Sequence, residues 1–232
     1  MEEVYHLLIT LQDDLQSQQM AAYMRDQFAF LGIRTPVRRQ AAKSALTEAK
    51  KSGRIDWSFV DLCWASGFRE HHYLAIDYLL TMSAHLKKAD LPKIEQLLLV
   101  DPWWDTVDAL SGVVAKMVLQ EPTLKSDMRR WSTADSIWLR RSAIIHQLLL
   151  KEQTDTDLLR LILLNNLGTK EFFINKAIGW SLRDYAKTDA HWIERFLAGY
   201  SERMASLSIK EAKKYFNQNI YKLQLHDSHL AN

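Results

Sequence analysis

The sequence predicts an all-α fold, a solenoid of stacked helical pairs, on three observations. The 232 residues include only 7 Gly and 4 Pro, too few for the turns of a many-stranded sheet. Segments with helical periodicity succeed one another between short breaks, with no strand-like alternation of useful length. The third observation is a fixed interval. Ala75-Ile76, Ala109-Leu110, Ala143-Ile144 and Ala177-Ile178 recur every 34 residues, and one step back lands on Ala41-Ala42. Five positions after each Ala stands an aliphatic residue: Leu46, Leu80, Val114, Leu148 and Leu182. A helix, a turn and a second helix fill most of such an interval, and each unit buries its apolar face on its neighbours. The expected architecture is an α-solenoid of HEAT-like helical repeats with a concave basic groove.

The elements follow in order. The opening "MEEVYHLLITLQDD" is acidic and has no basic region ahead of an apolar run, so no signal peptide is expected. The break "SGRID" carries Asp56 as a helix cap, and "KKADLP" opens the next turn. Asp101, before Pro102, is placed to cap the segment that begins "WWDTVD"; "QEPT", Thr154 and "LGTK" punctuate the remainder. The tail "LQLHDSHLAN" reads as frayed. No low-complexity linker marks a boundary, so residues 1–232 are expected to form a single domain. No run approaches 18 apolar residues, so no membrane span is expected and the chain is placed in the cytoplasm.

Charge and cysteine content exclude several classes. The single Cys63 rules out an intramolecular disulfide and any Cys-rich zinc site, and it reads as a small buried hydrophobe. The eight His are scattered without a partner set, and no Gly-rich phosphate loop or nucleophile elbow occurs. Neither a metal nor a cofactor is expected. Net charge is +2 with a pI near 8.5, below the value near 9 that bulk-basic nucleic-acid binders reach. Binding to DNA therefore requires the positive charge to gather on one face.

The repeat interval sorts residues by face. At about 100° per residue, positions 0, +1, +4 and +5 from each Ala cluster on the buried side. Trp104, Asp108, Lys176, Trp180 and Arg183 fall opposite, with Arg141 on the flank. His146 also falls there and reads as solvent-facing. Trp103 turns inward, so the tandem Trp pair divides into a packing Trp and a groove Trp. Arg38-Arg39 and Arg140-Arg141 are twin arginines on equivalent helices, with Arg140 turned toward the core as a pairing residue. Aromatic faces beside cations suit a phosphate backbone, although an ordinary solvated face is the commoner account of any one arginine pair. Asp105, in a first turn, complements the helix dipole. Asp108, one turn from Trp104 on the same face, is a carboxylate in a groove meant for anions, which points to a job involving a cation.

The segments "FLGIRTPVRR", "WWDTVD", "WLRRSAIIHQLLLK" and "FFINKAIGWSLRDYAK" resemble the HEAT-repeat alkylpurine DNA glycosylases of the AlkD type. The likeness runs from Tyr23 to Phe216. It implies excision of cationic N3- and N7-alkylated purines, 3-methyladenine and 7-methylguanine among them, from double-stranded DNA in base excision repair. It further implies Asp108 as the catalytic carboxylate, Trp104 and Trp180 as aromatic contacts on the lesion strand, and Arg141 as a groove arginine near the lesion's phosphate. Tyr23, Phe173 and Arg183 match secondary DNA-contact positions; Arg38, Arg39 and Lys176 join them from the face analysis.

The chemistry agrees with these residues. A cationic purine needs no protonation to leave, and the developing oxocarbenium-like sugar calls for a carboxylate and aromatic faces rather than a metal or an amine nucleophile. A monofunctional enzyme without lyase activity, acting as a monomer, is the expectation; a shallow groove makes a base-flipping pocket harder to build, and the resemblance implies a lesion left largely stacked. The alternative is a non-catalytic HEAT-like scaffold binding protein or nucleic acid, which has no need of Asp108 beside Trp104.

Overall fold

The computed structural model describes residues 1–214, which are helical and contain no strand; the one β feature is an isolated parallel bridge between Ala29 and Phe68. This agrees with the all-α expectation. The tail "LQLHDSHLAN" lies outside the described residues. Chain contacts divide the protein into two compact units, Met1–Val100 with Lys116–Glu121, and Asp101–Ala115 with Pro122 onward. The division falls inside a helix, so no change of composition marks it.

The first unit holds α1 (Glu2–Thr10), α2 (Asp14–Tyr23), α3 (Thr35–Ser52), α4 (Trp57–Trp64), α5 (Arg69–Thr81) and α6 (Leu91–Leu99). Asp13 and Asp56 cap α2 and α4 by accepting the N–H of Gln16 and Phe59, which satisfies donors that have no partner within the helix. Pro36 opens α3, where its missing N–H costs nothing, and Gly53 ends it in the left-handed conformation. α5 is the centre of this unit and packs on α3 and α4. Its Leu74, Ala75, Ile76, Tyr78 and Leu79 are all at most 2% exposed. The segment "FLGIRTP" owes its composition to α5. The fully buried Glu70 carboxylate accepts the backbone N–H of Leu31, Gly32 and Ile33 at 2.8–3.0 Å. Gly32 is obligatory, because its φ is +88° and a Cβ there would lie 2.1 Å from the Asp13 carbonyl oxygen.

α7 (Trp104–Gln120) contributes its first turns to the second unit. That unit continues with α8 (Lys125–Trp131), α9 (Ile137–Ile145), α10 (Thr156–Leu164), α11 (Phe172–Tyr185), α12 (Ala190–Tyr200) and a last helix, α13 (206–214). Ser136, Asp155 and Asp189 cap α9, α10 and α12 through their side chains. The cap expected at Thr154 is thus one residue later, at Asp155. Asp101 does not cap α7: it takes a left-handed φ of +47°, three residues before the helix begins. α9 packs against α11, with α8 and α10 behind α9 and α12 against α11.

The repeat interval marks the core with one rotation. Ala75, Ala143 and Ala177 are at most 1% exposed, as are Leu110, Val114, Ile144, Ile178 and Leu182. On α3 and α7 the second member of each pair, Ala42 and Leu110, is fully buried, whereas Ala41 and Ala109 are half-buried. On α7 the buried residues Val107, Leu110, Val114 and Met117 run at three- and four-residue steps, which centres the apolar stripe just past Ala109. One further 34-residue step from Ala177 lands on Glu211-Ala212 in α13, and Ala212 is fully buried.

Candidate active site

Three helices of the second unit converge on one depression. α7 supplies Trp104 and Asp108, one turn apart on a single face; α9 supplies Arg141; α11 supplies Phe172, Phe173, Lys176, Trp180 and Arg183. Together they line a space of about 310 Å³. The sequence places Trp104, Asp108, Lys176, Trp180 and Arg183 on one face, and the structure brings all five together.

The tandem Trp divides as expected. Trp103 packs with Trp138 and Phe173, ring centroids 5.8 and 5.2 Å away, while Trp104 lines the depression. Trp138 and Phe173 close the cluster at 5.1 Å, and Phe172, itself 57% exposed, stands edge-on to Phe173. Phe173 is therefore first a packing residue that stiffens the wall. α7 and α9 are also tied by the buried Ser111 and Ser142 hydroxyls, 2.9 Å apart.

Arg141, expected as a groove arginine, does line the depression, where it is engaged with Asp108. Its side chain is 4% exposed, and Nε and Nη2 donate to the two carboxylate oxygens of Asp108 at 2.7 and 2.8 Å. Nη1 donates to the Phe173 carbonyl oxygen at 2.6 Å. Two parallel bonds from a planar fork hold the carboxylate in one orientation. Burial raises the Asp108 pKa above its ordinary value; the hydrogen bonds and charge of Arg141 pull it back, and neighbouring Asp105 pushes it slightly further up. A carboxylate accepts up to four hydrogen bonds, so with two taken by Arg141, Asp108 keeps capacity toward the depression.

The other expected cations are also paired. Lys176 and Arg183 each donate to Glu211 of α13 at 2.7 Å. Sequence reasoning missed Glu211; the repeat interval does reach it, but at the position where the earlier helices carry a packing Ala. In the first unit, Arg38 is buried. Its Nε and Nη2 lie 3.2 and 3.1 Å from Asp77, and its guanidinium sits 5.0 Å over the Tyr73 ring. Arg38 is thus a correction to its expected place in the groove, since its charge is consumed inside the fold. Arg39 shares Asp77 at 3.2 Å but leaves its side chain 61% exposed. Tyr23 is 72% exposed at the end of α2, beside Met20, Phe30 and Tyr73. Arg140 turns inward as expected, but donates to Asn166 at 2.7 Å rather than to an acid.

His146 overturns its solvent-facing reading. It is 1% exposed, its Nδ1 lies 2.7 Å from the Ala143 carbonyl oxygen, and burial pushes the imidazole pKa down to about 4. His146 keeps helical backbone, with φ −60°, ψ −21° and its N–H bonded to the Ser142 carbonyl oxygen, so the rotation holds and the difference is that this face is covered, with Asp155 and Lys125 close to the ring. Cys63 is fully buried, as expected, and burial pushes its thiol far above the usual range. Among the described residues no three His, Cys, Asp or Glu side chains gather as a metal site, and no helix is long and apolar enough to cross a membrane.

Comparisons with known proteins point the same way. A protein from Enterococcus faecalis, described as a predicted DNA alkylation repair enzyme, superposes with a TM-score of 0.81 at 31% identity, over 88% of this chain and 96% of its own. Among curated proteins none matches the chain. The family model for DNA alkylation repair enzymes matches residues 4–216, and this chain belongs to that family.

Proposed function

We propose that the protein is a monofunctional DNA glycosylase that hydrolyses the N-glycosidic bond of cationic N3- and N7-alkylated purines in double-stranded DNA, acting in base excision repair. The observation that carries the proposal is Asp108. This carboxylate stands among aromatic rings, is held in one orientation by Arg141, and lines the same depression as Trp104 and Trp180.

The alkylated purine leaves with its own positive charge neutralised, so no general acid is needed. As the C1′–N bond lengthens, positive charge gathers on the deoxyribose. An oriented carboxylate edge in a partly desolvated site stabilises that charge strongly, because water does not screen it. Trp104 and Trp180 add the negative faces of their ring quadrupoles. Arg141 opposes the effect of burial and so favours the ionised form of Asp108. An unoccupied lone pair of the same carboxylate can then orient the water that attacks C1′.

The test is release of 7-methylguanine and 3-methyladenine from methylated duplex DNA. The wild type should release both. Asp108→Asn keeps the size of the side chain but removes its charge, and should lose about 10²–10³ in rate, the usual cost of deleting one preorganised electrostatic group. Equal rates for the two proteins would remove Asp108 from the mechanism.

A further inference from the structure

The contacts of Glu211 assign a second feature beside the depression. Lys176 and Arg183 stand two helical turns apart on α11 with Trp180 between them. Glu211, on α13, lies beneath them with its side chain 4% exposed. Its Oε1 accepts from Lys176 Nζ at 2.7 Å and from Lys214 Nζ at 2.5 Å, and its Oε2 accepts from Arg183 Nη1 at 2.7 Å. The cations face outward, with side chains 39%, 30% and 44% exposed for Lys176, Arg183 and Lys214. α13 reaches this close because residue 179 is Gly. A Cβ there would lie 2.4 Å from the Glu211 Cβ and 2.7 Å from the Ser208 carbonyl oxygen.

One carboxylate neutralises one cation. Here it gathers three, and the patch keeps two positive charges in surplus. Each ammonium spends one N–H on Glu211 and keeps two, while Arg183 keeps most of its five. Without the carboxylate the three like charges would repel and their long side chains would spread into solvent. A lock between α11 and α13 would need only one such contact.

We infer that Lys176, Arg183 and Lys214 form a clamp for a DNA phosphodiester, and that Glu211 is the positioning residue that assembles it. The clamp sets a strand backbone beside Trp180, within the depression that holds Asp108. It rests on the DNA-binding part of the proposed function and is independent of base release.

The experiment is equilibrium binding of unmodified duplex DNA at a series of salt concentrations, using the full chain. Lys214→Met should lower the magnitude of the slope of log K against log salt by about 0.9, the value for one phosphate contact. Glu211→Gln supplies a test of sign. It adds a net positive charge, yet a clamp that has lost its organiser should bind several-fold more weakly. If Glu211 only neutralised the cations or tied two helices, Glu211→Gln would bind as tightly as wild type or tighter. That result, or a full salt slope in Lys214→Met, overturns the clamp. Should Glu211→Gln fail to fold, the half-exposed Lys214→Met decides alone. A wild type that binds duplex with the full slope but releases no methylated purine would sink the glycosylase reading and leave the clamp standing.

Discussion

The molecule contains two arginine–aspartate pairs built alike, one in each unit. Arg38 of α3 meets Asp77 of α5, and Arg141 of α9 meets Asp108 of α7. Both arginines are buried, at 5% and 3% exposure, and both lie near an aromatic ring, Tyr73 at 5.0 Å and Phe173 at 5.9 Å. They differ in what surrounds the acid. Asp77 is shared by two guanidiniums and borders a shallow basic groove with Lys43 and Lys50. Asp108 has one guanidinium, a somewhat more open side chain (18% against 11%) and a depression walled by Trp104 and Trp180. The first pair is electrostatically saturated and serves as a lock. The second leaves a carboxylate edge directed at a space lined by aromatic faces. Burying an arginine beside an aspartate is therefore no sign of chemistry; the surroundings of the carboxylate decide.

The largest effect should separate the two aspartates by rate. Asp108→Asn abolishes most base release, as above, whereas Asp77→Asn should retain it at a temperature where the variant is folded. A large rate loss in folded Asp77→Asn would erase the distinction between lock and site. Next, Asp77→Asn should cost about 3 kcal/mol of stability, because it strands a buried guanidinium. Chemical denaturation at neutral pH measures this, and an unchanged midpoint would show that Arg38 finds water instead.

The third test is a pH profile. Asp108 must be ionised to act and its pKa is raised in the folded protein, so base release should fall as pH drops through a range above that of an ordinary aspartate. Arg141→Met removes the influence that lowers this pKa, so the acid limb of the profile should move to still higher pH. An acid limb unmoved in Arg141→Met would mean that the guanidinium does not control Asp108.

The smallest effect concerns a third paired carboxylate. Burial works against the Glu211 charge, but Lys176 and Lys214 outweigh it and bring the pKa down to about 2, from an ordinary 4.5. A depressed acid stabilises the fold above its unfolded pKa and loses that contribution as pH falls through the folded one. Stability should therefore decline between pH 4.5 and about 2, and Glu211→Gln should flatten that decline. A parallel decline in both proteins would show that Glu211 is ordinarily solvated.

Much of this was legible in the sequence for reasons that can be named. Asp56 caps a helix because a short acid ahead of an apolar run satisfies free N–H groups, which is local chemistry. Trp104 and Asp108 share a face because four residues make one turn. Glu70, by contrast, was invisible: an acid within α5 gives no hint that it closes a loop 37–39 residues earlier. Glu211 lies 28 and 35 residues from Arg183 and Lys176, again beyond any local rule. His146 is buried although its backbone stays helical, because residues distant in sequence cover its face, which helical rotation alone does not reveal.

The sequence by itself determined the helices, their period and the shared face of Trp104, Asp108, Lys176, Trp180 and Arg183, since these depend on backbone geometry and on apolar spacing within a few turns. Only the tertiary structure decided which charges meet a partner. Arg38 on Asp77, Arg141 on Asp108 and three cations on Glu211 are contacts of about 3 Å between separate helices. Coulomb attraction and hydrogen bonding at that range depend on the relative placement of whole helices, which no spacing along the chain encodes.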